Sequence, residues 1–303
     1  SEYRDTNLLG SGREWGIGYQ VSFKRLRGSS DVMDREFLGT RWQGQDEVYS
    51  ERMEEPSFTV LRHGNRLTFT HDLGGHLSWE MGTEFKRSNV LDFASGAEEP
   101  GDNLDVSTLF AGISRDTRDH RMDTHEGQYS RFTVEWADRT IASDLDFLRY
   151  RFQHAVYYPL LPSVVATARG RAGILVPSGG TREIPIQERF FLGGEKSVRS
   201  YDEGEVGPRS PDGKPLGGEA FLLFSQELRF RLYEDLYGLA FADEGNVQAA
   251  YEDFGISDMA YGVGPGLYYF TPVGPVGLTV AFNPEAGRWG DDYQVLFSFG
   301  FTF

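Results

Sequence analysis

The last ten residues of the chain, 294–303, alternate between large apolar side chains and smaller or polar ones. Every second position is apolar: Val295, Phe297, Phe299, Phe301 and Phe303. Because successive side chains of a β-strand point to opposite faces, one face of this predicted strand is nearly all aromatic. A soluble β-sandwich could bury such a face. A strand that finishes on Phe instead favours a transmembrane β-barrel in which the aromatic face meets lipid.

The composition excludes several other classes of protein. Hydrophobic residues make up 39% of the 303 residues, mean hydropathy is negative, and no apolar run approaches the roughly 18 residues of a membrane helix. The aromatic content of 14% suits the girdles of a membrane barrel. The absence of cysteine excludes disulfides and thiolate metal sites. A net charge of −16 argues against nucleic acid as a partner.

The same alternation recurs along most of the chain, in segments of about ten residues, the length of a tilted membrane strand. These segments lie at 15–23, 77–85, 131–136, 148–158, 164–176 and 220–231. Opposite each apolar face stand Arg, Glu or Lys side chains, which we expect to line a polar lumen. We predict an all-β fold, a single transmembrane antiparallel β-barrel over residues 1–303. Sixteen strands are expected and fourteen are the alternative, because bacterial barrels have even numbers; residues 25–58 give no clear pattern.

Residues 177–217 break this rhythm. The segment has no sustained alternation and is dense in Gly, Pro and charge. A loop of this length inside a compact domain is usually functional or disordered. Disorder of the whole loop is disfavoured by five apolar or aromatic side chains that need burial: Phe190, Phe191, Leu192, Val198 and Tyr201. We therefore predict a loop that folds inward and plugs the lumen.

Within this loop, residues 187–201 (QERFFLGGEKSVRSY) are followed by Gly207 and Pro208. This motif resembles the sixth extracellular loop of the BamA/TamA-type outer-membrane assembly barrels, which belong to the bacterial surface antigen superfamily. Further segments resemble that family in the same order: 7–12, 114–119, 227–230, 241–246, 271–275 and Phe303. The resemblance implies an extracellular loop, and its base would be formed by Glu188, Arg189, Phe190, Gly193 and Gly194.

The resemblance also implies an ion-pair network around Arg199. In the family, the loop arginine reaches into the lumen and pairs with acids on the inner wall, which here would be Glu227 and Asp243. An arginine can bridge two carboxylates with its planar fork of donors, a geometry that lysine cannot copy. Alternation places Glu227 on the polar face of its strand. Asp243 shares its side with Leu239 and Phe241, so a β-bulge between them is one explanation.

Three neighbours complete the loop motif: Val198, Ser200 and Tyr201. Ser200 stands where the family usually has glycine. This departure means that a backbone conformation that needs glycine is either relaxed or tolerated at this position.

As to function, the resemblance implies an insertion and assembly factor for outer-membrane proteins, located in the bacterial outer membrane. Its physical basis would be a weak lateral seam between the first and last strands, because glycine within a strand weakens pairing. The predicted seam residues are Trp15, Gly16, Gly18, Gly300 and Phe303. An open seam could pair with a client strand by β-augmentation. Tight turns and crowding in the lumen explain the glycines equally well.

The expected partners are outer-membrane lipids, unfolded outer-membrane protein clients and separate periplasmic or lipoprotein subunits. The chain shows no POTRA domain, the periplasmic module that normally precedes such a barrel, so a barrel-only form is expected. Residues 1–5 are polar and acidic and do not form a signal peptide. We expect a mature form or an excised domain.

Two other functions stay open at this stage. One is a gated pore for secretion or lipid transport, which a plugging loop would suit equally. The other is a structural barrel that serves as a subunit of a larger assembly complex. An enzyme is not expected, because the six His residues are scattered and neither a nucleophile motif nor a phosphate-binding glycine loop is present. No cofactor or metal is expected either.

Overall fold

A computed structural model of the chain describes residues 2–6, 12–22, 24–93, 103–121, 123–271, 274–285 and 293–299. These residues are mostly β-strand. The strands are β1 (Glu2–Asp5), β2 (Glu14–Val21), β3 (Arg25–Asp34), β4 (Trp42–Glu55), β5 (Phe58–Gly74), β6 (Leu77–Phe93), β7 (Leu104–Asp116), β8 (Gly127–Ala137), β9 (Phe147–Leu161), β10 (Val164–Pro177), β11 (Ala220–Tyr233), β12 (Leu236–Gln248), β13 (Ala260–Thr271), β14 (Gly274–Phe282) and β15 (Tyr293–Phe299). Single 3-10 turns occupy Phe37–Gly39, Arg139–Ile141, Ile186–Glu188 and Tyr251–Asp253.

The fifteen strands form one antiparallel sheet in chain order, each strand hydrogen-bonded to the next. The predicted all-β antiparallel fold is therefore confirmed. Among the described residues, β1 does not pair with β15, and the count of sixteen strands stays a prediction. No helix in the described ranges is long and apolar enough to cross a membrane.

The outward face of the sheet shows the alternation expected from the sequence. In β15, Val295 is 58% exposed and Phe297 is 69% exposed on the outward face, whereas Ser298 on the inward face is 2% exposed. Large apolar side chains are likewise exposed on β2, β9 and β13, for example Tyr19, Phe152 and Leu267. An apolar outward face of this kind fits contact with lipid. The described part of the last strand ends at Phe299, so Gly300 and Phe303 lie outside it.

Residues 25–58, which the sequence pattern left unassigned, contain β3, β4 and the start of β5. Their outward positions include polar side chains that bond to neighbours on the same face. Ser30 accepts a hydrogen bond from Trp15 Nε1 at 3.0 Å, and Asp46 accepts one from Asn65 Nδ2 at 2.6 Å. Because polar side chains such as Ser30 and Asp46 interrupt the apolar outward positions Leu26, Val32 and Val48, the two strands lack the continuous alternation that marks the others.

The core lies between the inward face of the sheet and the loop that joins β10 to β11, residues 178–219. One buried cluster joins this β10–β11 loop to the strands that follow it: Leu192, Val198, Val206, Leu223, Val247 and Ala260. A second joins it to the preceding strands: Val106, Ala137, Leu145, Phe147, Leu175, Ile184 and Phe190. Since the loop also bonds to Arg62 on β5 and Lys86 on β6, the sheet must curve around it.

Successive connections alternate between the two ends of the sheet because neighbouring strands are antiparallel. We call the end with the β10–β11 loop the loop end and the other the turn end. The turn end has tight turns at residues 162–163 and 234–235, and its longer connections include the β7–β8 loop at residues 117–126.

Candidate functional site

Arg199 lies at the centre of a buried ion-pair network. Its Nε and Nη2 donate to the two oxygens of Asp243 at 2.7 and 2.8 Å, and its Nη1 donates to Glu227 Oε1 at 2.7 Å. The backbone N of Arg199 also donates to Asp243 Oδ2 at 3.2 Å. Arg199 is 2% exposed, Glu227 7% and Asp243 1%. The structure thus brings together the three residues that the sequence motif pointed to, and the arginine fork engages both carboxylates.

The two acids face inward from adjacent strands in regular register. Pairing of β11 with β12 runs unbroken from Ala220 opposite Gln248 to Arg231 opposite Tyr237. The β-bulge considered for Asp243 is therefore wrong. Leu239 and Phe241 share the inward face with Asp243 because the inner wall is itself partly apolar here, and the Arg199 guanidinium carbon stacks 3.6 Å from the centre of the Phe241 ring.

The electrostatic balance keeps the arginine charged. Burial alone would lower the pKa of Arg199, but the hydrogen bonds that Arg199 donates to Asp243 and the charges of Glu227 and Asp243 raise that pKa above its usual range. A charge buried this deeply is stable only when it is paired and hydrogen-bonded. The network therefore fixes the position of the loop rather than holding a titratable group.

The residues beside Arg199 extend the contact across further strands. Val198 is fully buried in the apolar cluster that joins the loop to β11 and β12. Ser200 Oγ donates to the backbone carbonyl of Tyr261 on β13 at 2.6 Å, and Tyr201 Oη accepts a hydrogen bond from Asn283 Nδ2 at 3.1 Å. Ser200 does not have a positive φ, so its position does not require glycine. Its hydroxyl instead supplies a bond that glycine could not make.

The loop base holds a second charged centre. Glu188 is buried, and its Oε2 lies 2.7 Å from Lys86 Nζ and accepts a hydrogen bond from Arg149 Nη2 at 2.8 Å. Burial would raise the pKa of Glu188, but the charges of Lys86 and Arg149 outweigh it and lower that pKa well below its usual range. The loop motif points to Glu188 but not to its two partners, because alternation predicts the face of a strand on which a residue lies and not its position along that strand relative to the loop.

The remaining base residues shape the loop locally. Arg189 Nε donates to the carbonyl of Ile184 at 2.7 Å, and the Phe190 ring packs 4.9 Å from that of Phe221. Gly193 and Gly194 have φ of 121° and 85°. A Cβ on Gly193 would lie 2.0 Å from the carbonyl oxygen of Asp202, so only glycine fits there.

Three of the predicted seam residues, Trp15, Gly16 and Gly18, lie on β2. This strand is one position in from the edge of the described sheet, because β1 pairs with its outer side. A Cβ on Gly16 would lie 2.4 Å from Asp31 Oδ1, so this glycine makes room for an inward carboxylate and does not itself open the edge. Gly300 and Phe303 fall outside the described residues.

Two adjacent acids of the β10–β11 loop contact opposite ends of the strand order. Asp202 Oδ1 accepts a hydrogen bond from Gln294 Nε2 on β15 at 3.0 Å. Glu203 Oε2 lies 2.8 Å from Lys24 Nζ in the β2–β3 connection. The loop therefore bridges the β2–β3 connection and β15 at the loop end, a contact that no sequence pattern pointed to.

The turn end has an inward loop of its own. Arg229, two residues after Glu227 on the same face of β11, donates to the carbonyl of Thr124 at 2.7 Å and lies 3.0 Å from Asp123 Oδ1. The β7–β8 loop thus crosses β8, β9 and β10 to reach β11. Loops from both ends of the sheet meet one strand.

The fold and the site define a class of protein: an all-β membrane protein whose antiparallel sheet curves around a loop held by a buried arginine and two carboxylates. A family model described as the Omp85 superfamily domain matches residues 7–303, and the chain belongs to this superfamily. Membership confirms the predicted kinship with BamA-type barrels and the integral outer-membrane location.

The chain is similar to proteins named as assembly components. It is 26% identical over 301 residues to outer membrane protein assembly factor BamA of Nitratidesulfovibrio vulgaris, covering 94% of this chain and 38% of that protein. It is 31% identical over 231 residues to a SAM50-like protein of Schizosaccharomyces pombe, covering 70% of this chain and 46% of that protein. The chain therefore spans less than half the length of these relatives. None of these names denotes an enzyme, in agreement with the sequence prediction.

Solved structures show the same fold. BamA from Haemophilus ducreyi lacking POTRA domains 1–3 superposes with a TM-score of 0.83 at 14% identity, covering 98% of this chain and 66% of that chain. CdiB from Escherichia coli superposes with a TM-score of 0.65 at 14% identity, covering 98% and 57%. At these identities the likeness concerns the fold alone.

Proposed function

We propose that this chain is the membrane-embedded part of an outer-membrane protein insertion factor that acts through a lateral seam between its first and last strands. Membership in the Omp85 superfamily and similarity to proteins named as assembly factors support the proposal. Its partners are then outer-membrane lipids, unfolded outer-membrane protein clients and separate periplasmic or lipoprotein subunits. Residues 1–303 act as a single barrel domain, and the β10–β11 loop plugs its lumen.

The observation that carries the proposal is the edge formed by β15. This strand pairs with β14 on one side, and no strand pairs with its other side within the described part of the chain. Unpaired N–H and C=O groups on an edge are a template for another strand. They are also costly to leave unsatisfied in lipid, where no water can bond to them. A client strand that adds to β15 would remove that cost by β-augmentation.

The direction of the edge strands supports the same idea. Because the order is antiparallel throughout, β1 and β15 run in the same direction. One strand placed between them could pair antiparallel with both. The strand at the other edge of the sheet is β1 (Glu2–Asp5). It is weakly held, since only four of its residues pair with β2. The seam is thus a position that an incoming strand can occupy.

The β10–β11 loop would control that position. Its Asp202 and Glu203 contact β15 and the β2–β3 connection, and the buried Arg199 network holds the loop against β11 and β12. The two bridging contacts are exposed, and exposed pairs of this kind are worth about 1 kcal/mol or less. These two contacts can break without disturbing the buried Arg199 network.

The test is the folding rate of a small urea-unfolded barrel protein into liposomes that contain this protein. The chain has no cysteine, so a bismaleimide can lock the seam through introduced cysteines. One pair, Asp202→Cys and Gln294→Cys, links the loop to β15, and the other pair, Glu203→Cys and Lys24→Cys, links the loop to the β2–β3 connection. The matched control links Ser78→Cys to Ser114→Cys, which are paired on β6 and β7. We expect acceleration by the wild type, loss of acceleration in the seam-locked protein, and full acceleration in the control.

No acceleration by a correctly folded wild type would reject an insertase. Equal acceleration by the seam-locked protein and the control would reject the seam as its route. A structural subunit predicts that no cross-link changes the client's folding rate.

A transport pore is the second candidate, and one observation favours it. A cavity of about 590 Å³ lies beside the β10–β11 loop, lined by charged side chains that include Arg131, Arg151 and Glu135. Planar-bilayer conductance distinguishes the two functions. A pore predicts a large conductance when Arg199→Ala releases the loop, and an insertase predicts client folding with little change in conductance.

A further inference from the structure

Two cations on the inner side of the sheet, Arg171 and Lys196, form no ion pair within the described part of the chain. Arg171 faces inward from β10 and donates from Nη2 to the backbone carbonyl of Lys196 in the β10–β11 loop. Its Nε is buried and has no hydrogen-bond partner. The side chain of Lys196 is exposed and forms none of the ion pairs that the structure describes. An unpaired donor on a partly buried guanidinium is costly unless a further acceptor occupies the adjacent space.

Such a space exists. Arg171 and Lys196 both line the cavity of about 590 Å³ between the loop and the sheet. Arg131 on β8 is opposite Gln153 on β9, and Gln153 is opposite Arg171 on β10. Neighbouring strands are about 4.8 Å apart, so the three side chains form a row of donors on one wall. The loop supplies Lys196 from the other side.

The acids that line the cavity do not neutralise this row. Glu135 is engaged by Arg149 at 2.9 Å and by Arg151, and Glu203 is engaged by Lys24. Glu55 lies on β4, and the charges that act on it are those of Glu203, Lys24 and Arg25 rather than Arg171 or Lys196. Arg131 is itself bonded to Glu80, which leaves Arg171 and Lys196 as the cations of the described cavity lining that form no ion pair. The chain as a whole has a net charge of −16, so this wall is a local reversal of its charge.

We propose that the cavity binds a phosphate group between Arg171 and Gln153 on the wall and Lys196 on the loop. A guanidinium fork matches the geometry of phosphate oxygens, and an ammonium adds a point charge from a second direction. A bound phosphate accepts hydrogen bonds from the Arg171 guanidinium and from Lys196 Nζ. Because it touches both wall and loop, it also strengthens the docking of the loop. The group comes either from a soluble phosphate or from the headgroup of a lipid.

Calorimetric titration of the folded full chain, in a non-ionic detergent at low salt, tests this with inorganic pyrophosphate as the probe. We expect one site with a dissociation constant below about 1 mM. Arg171→Gln and Lys196→Gln should each weaken binding about tenfold or more, while Lys214→Gln, a loop lysine outside the cavity, should not. Lys196 is exposed, so its variant keeps the fold, and heat-modifiability on gels verifies folding of all three.

The source of the phosphate follows from a second titration with short-chain phosphatidylglycerol. If this lipid competes with pyrophosphate and Lys196→Gln weakens that competition, the cavity is a site for a lipid headgroup. Binding of pyrophosphate alone assigns a soluble phosphate. Absence of binding by both probes overturns the proposal, and so does binding that both cavity variants leave unchanged.

Discussion

Replacing Arg199 with alanine should release the β10–β11 loop without unfolding the sheet. The change removes three side-chain hydrogen bonds and leaves Glu227 and Asp243 buried without their cation. Breaking a buried ion pair costs roughly 3–5 kcal/mol. Buried Arg169 on the adjacent β10 compensates part of the negative charge that Arg199 leaves unpaired. We therefore expect the lower value, about 3 kcal/mol.

This free energy belongs to loop docking, because the strand pairings of β11 and β12 do not involve Arg199. At about 1.4 kcal/mol per factor of ten, the released population should rise about a hundredfold. Hydrogen exchange at the amides of residues 190–206 measures this directly. The amides of β11 and β12 should exchange as in the wild type.

The matched control is Arg209→Ala, an exposed arginine of the same loop that lies 3.3 Å from Glu205. Exposed pairs contribute at most about 1 kcal/mol, so its exchange should stay close to that of the wild type. A variant with Arg199→Ala, Glu227→Gln and Asp243→Asn should recover part of the loss, since the two buried side chains no longer carry unpaired negative charges. Wild-type exchange in Arg199→Ala would refute the reasoning.

Three further predictions concern the same loop and the chain's own insertion. Gly193→Ala should weaken the docking of the loop by on the order of 1–3 kcal/mol, because the φ of Gly193 is positive and a Cβ there would meet a backbone oxygen. Trypsin should therefore cleave the loop of this variant faster than that of the control Gly213→Ala, whose Cβ would meet nothing. Glu188 has a lowered pKa, so its contribution is complete above the unfolded value of about 4.3 and is lost as pH falls through the folded one. Pepsin should therefore cleave the loop faster only below about pH 4, and Glu188→Gln should flatten that dependence. Deleting Phe303 should lower membrane yield of the protein, and an unchanged yield would contradict its role as a girdle residue.

The sequence predicted the strands whose outward face is apolar, because alternation with period two is visible there without further information. It failed at β3 and β4, where Ser30 and Asp46 occupy outward positions and bond within that face. A polar outward side chain looks the same as an inward one in sequence. Only the pairing of neighbouring strands distinguishes the two.

The candidate site shows a similar limit. The loop motif pointed to Arg199, Glu227 and Asp243, but the face of Asp243 was ambiguous since Leu239 and Phe241 accompany it. The structure resolves this, because Leu239 and Phe241 pack inside the sheet against Ala281 and Tyr268, and the Arg199 guanidinium covers the Phe241 ring. The partners of Glu188 come from β6 and β9, and no local pattern sets their heights relative to the loop.

The position of β11 also constrains the order in which this protein can fold. Arg199 and Asp243 are 44 residues apart in sequence, and Arg229 and Thr124 are 105 apart. Contacts with such separations form late, because the chain must lose the entropy of closing a long loop before the contact contributes any stabilisation. Both inward loops need β11 in place, so neither end of the sheet can be closed until the second half of the chain has joined it. In pulse proteolysis during refolding, protection of residues 117–126 should appear no earlier than protection of β11, and earlier protection would contradict this order.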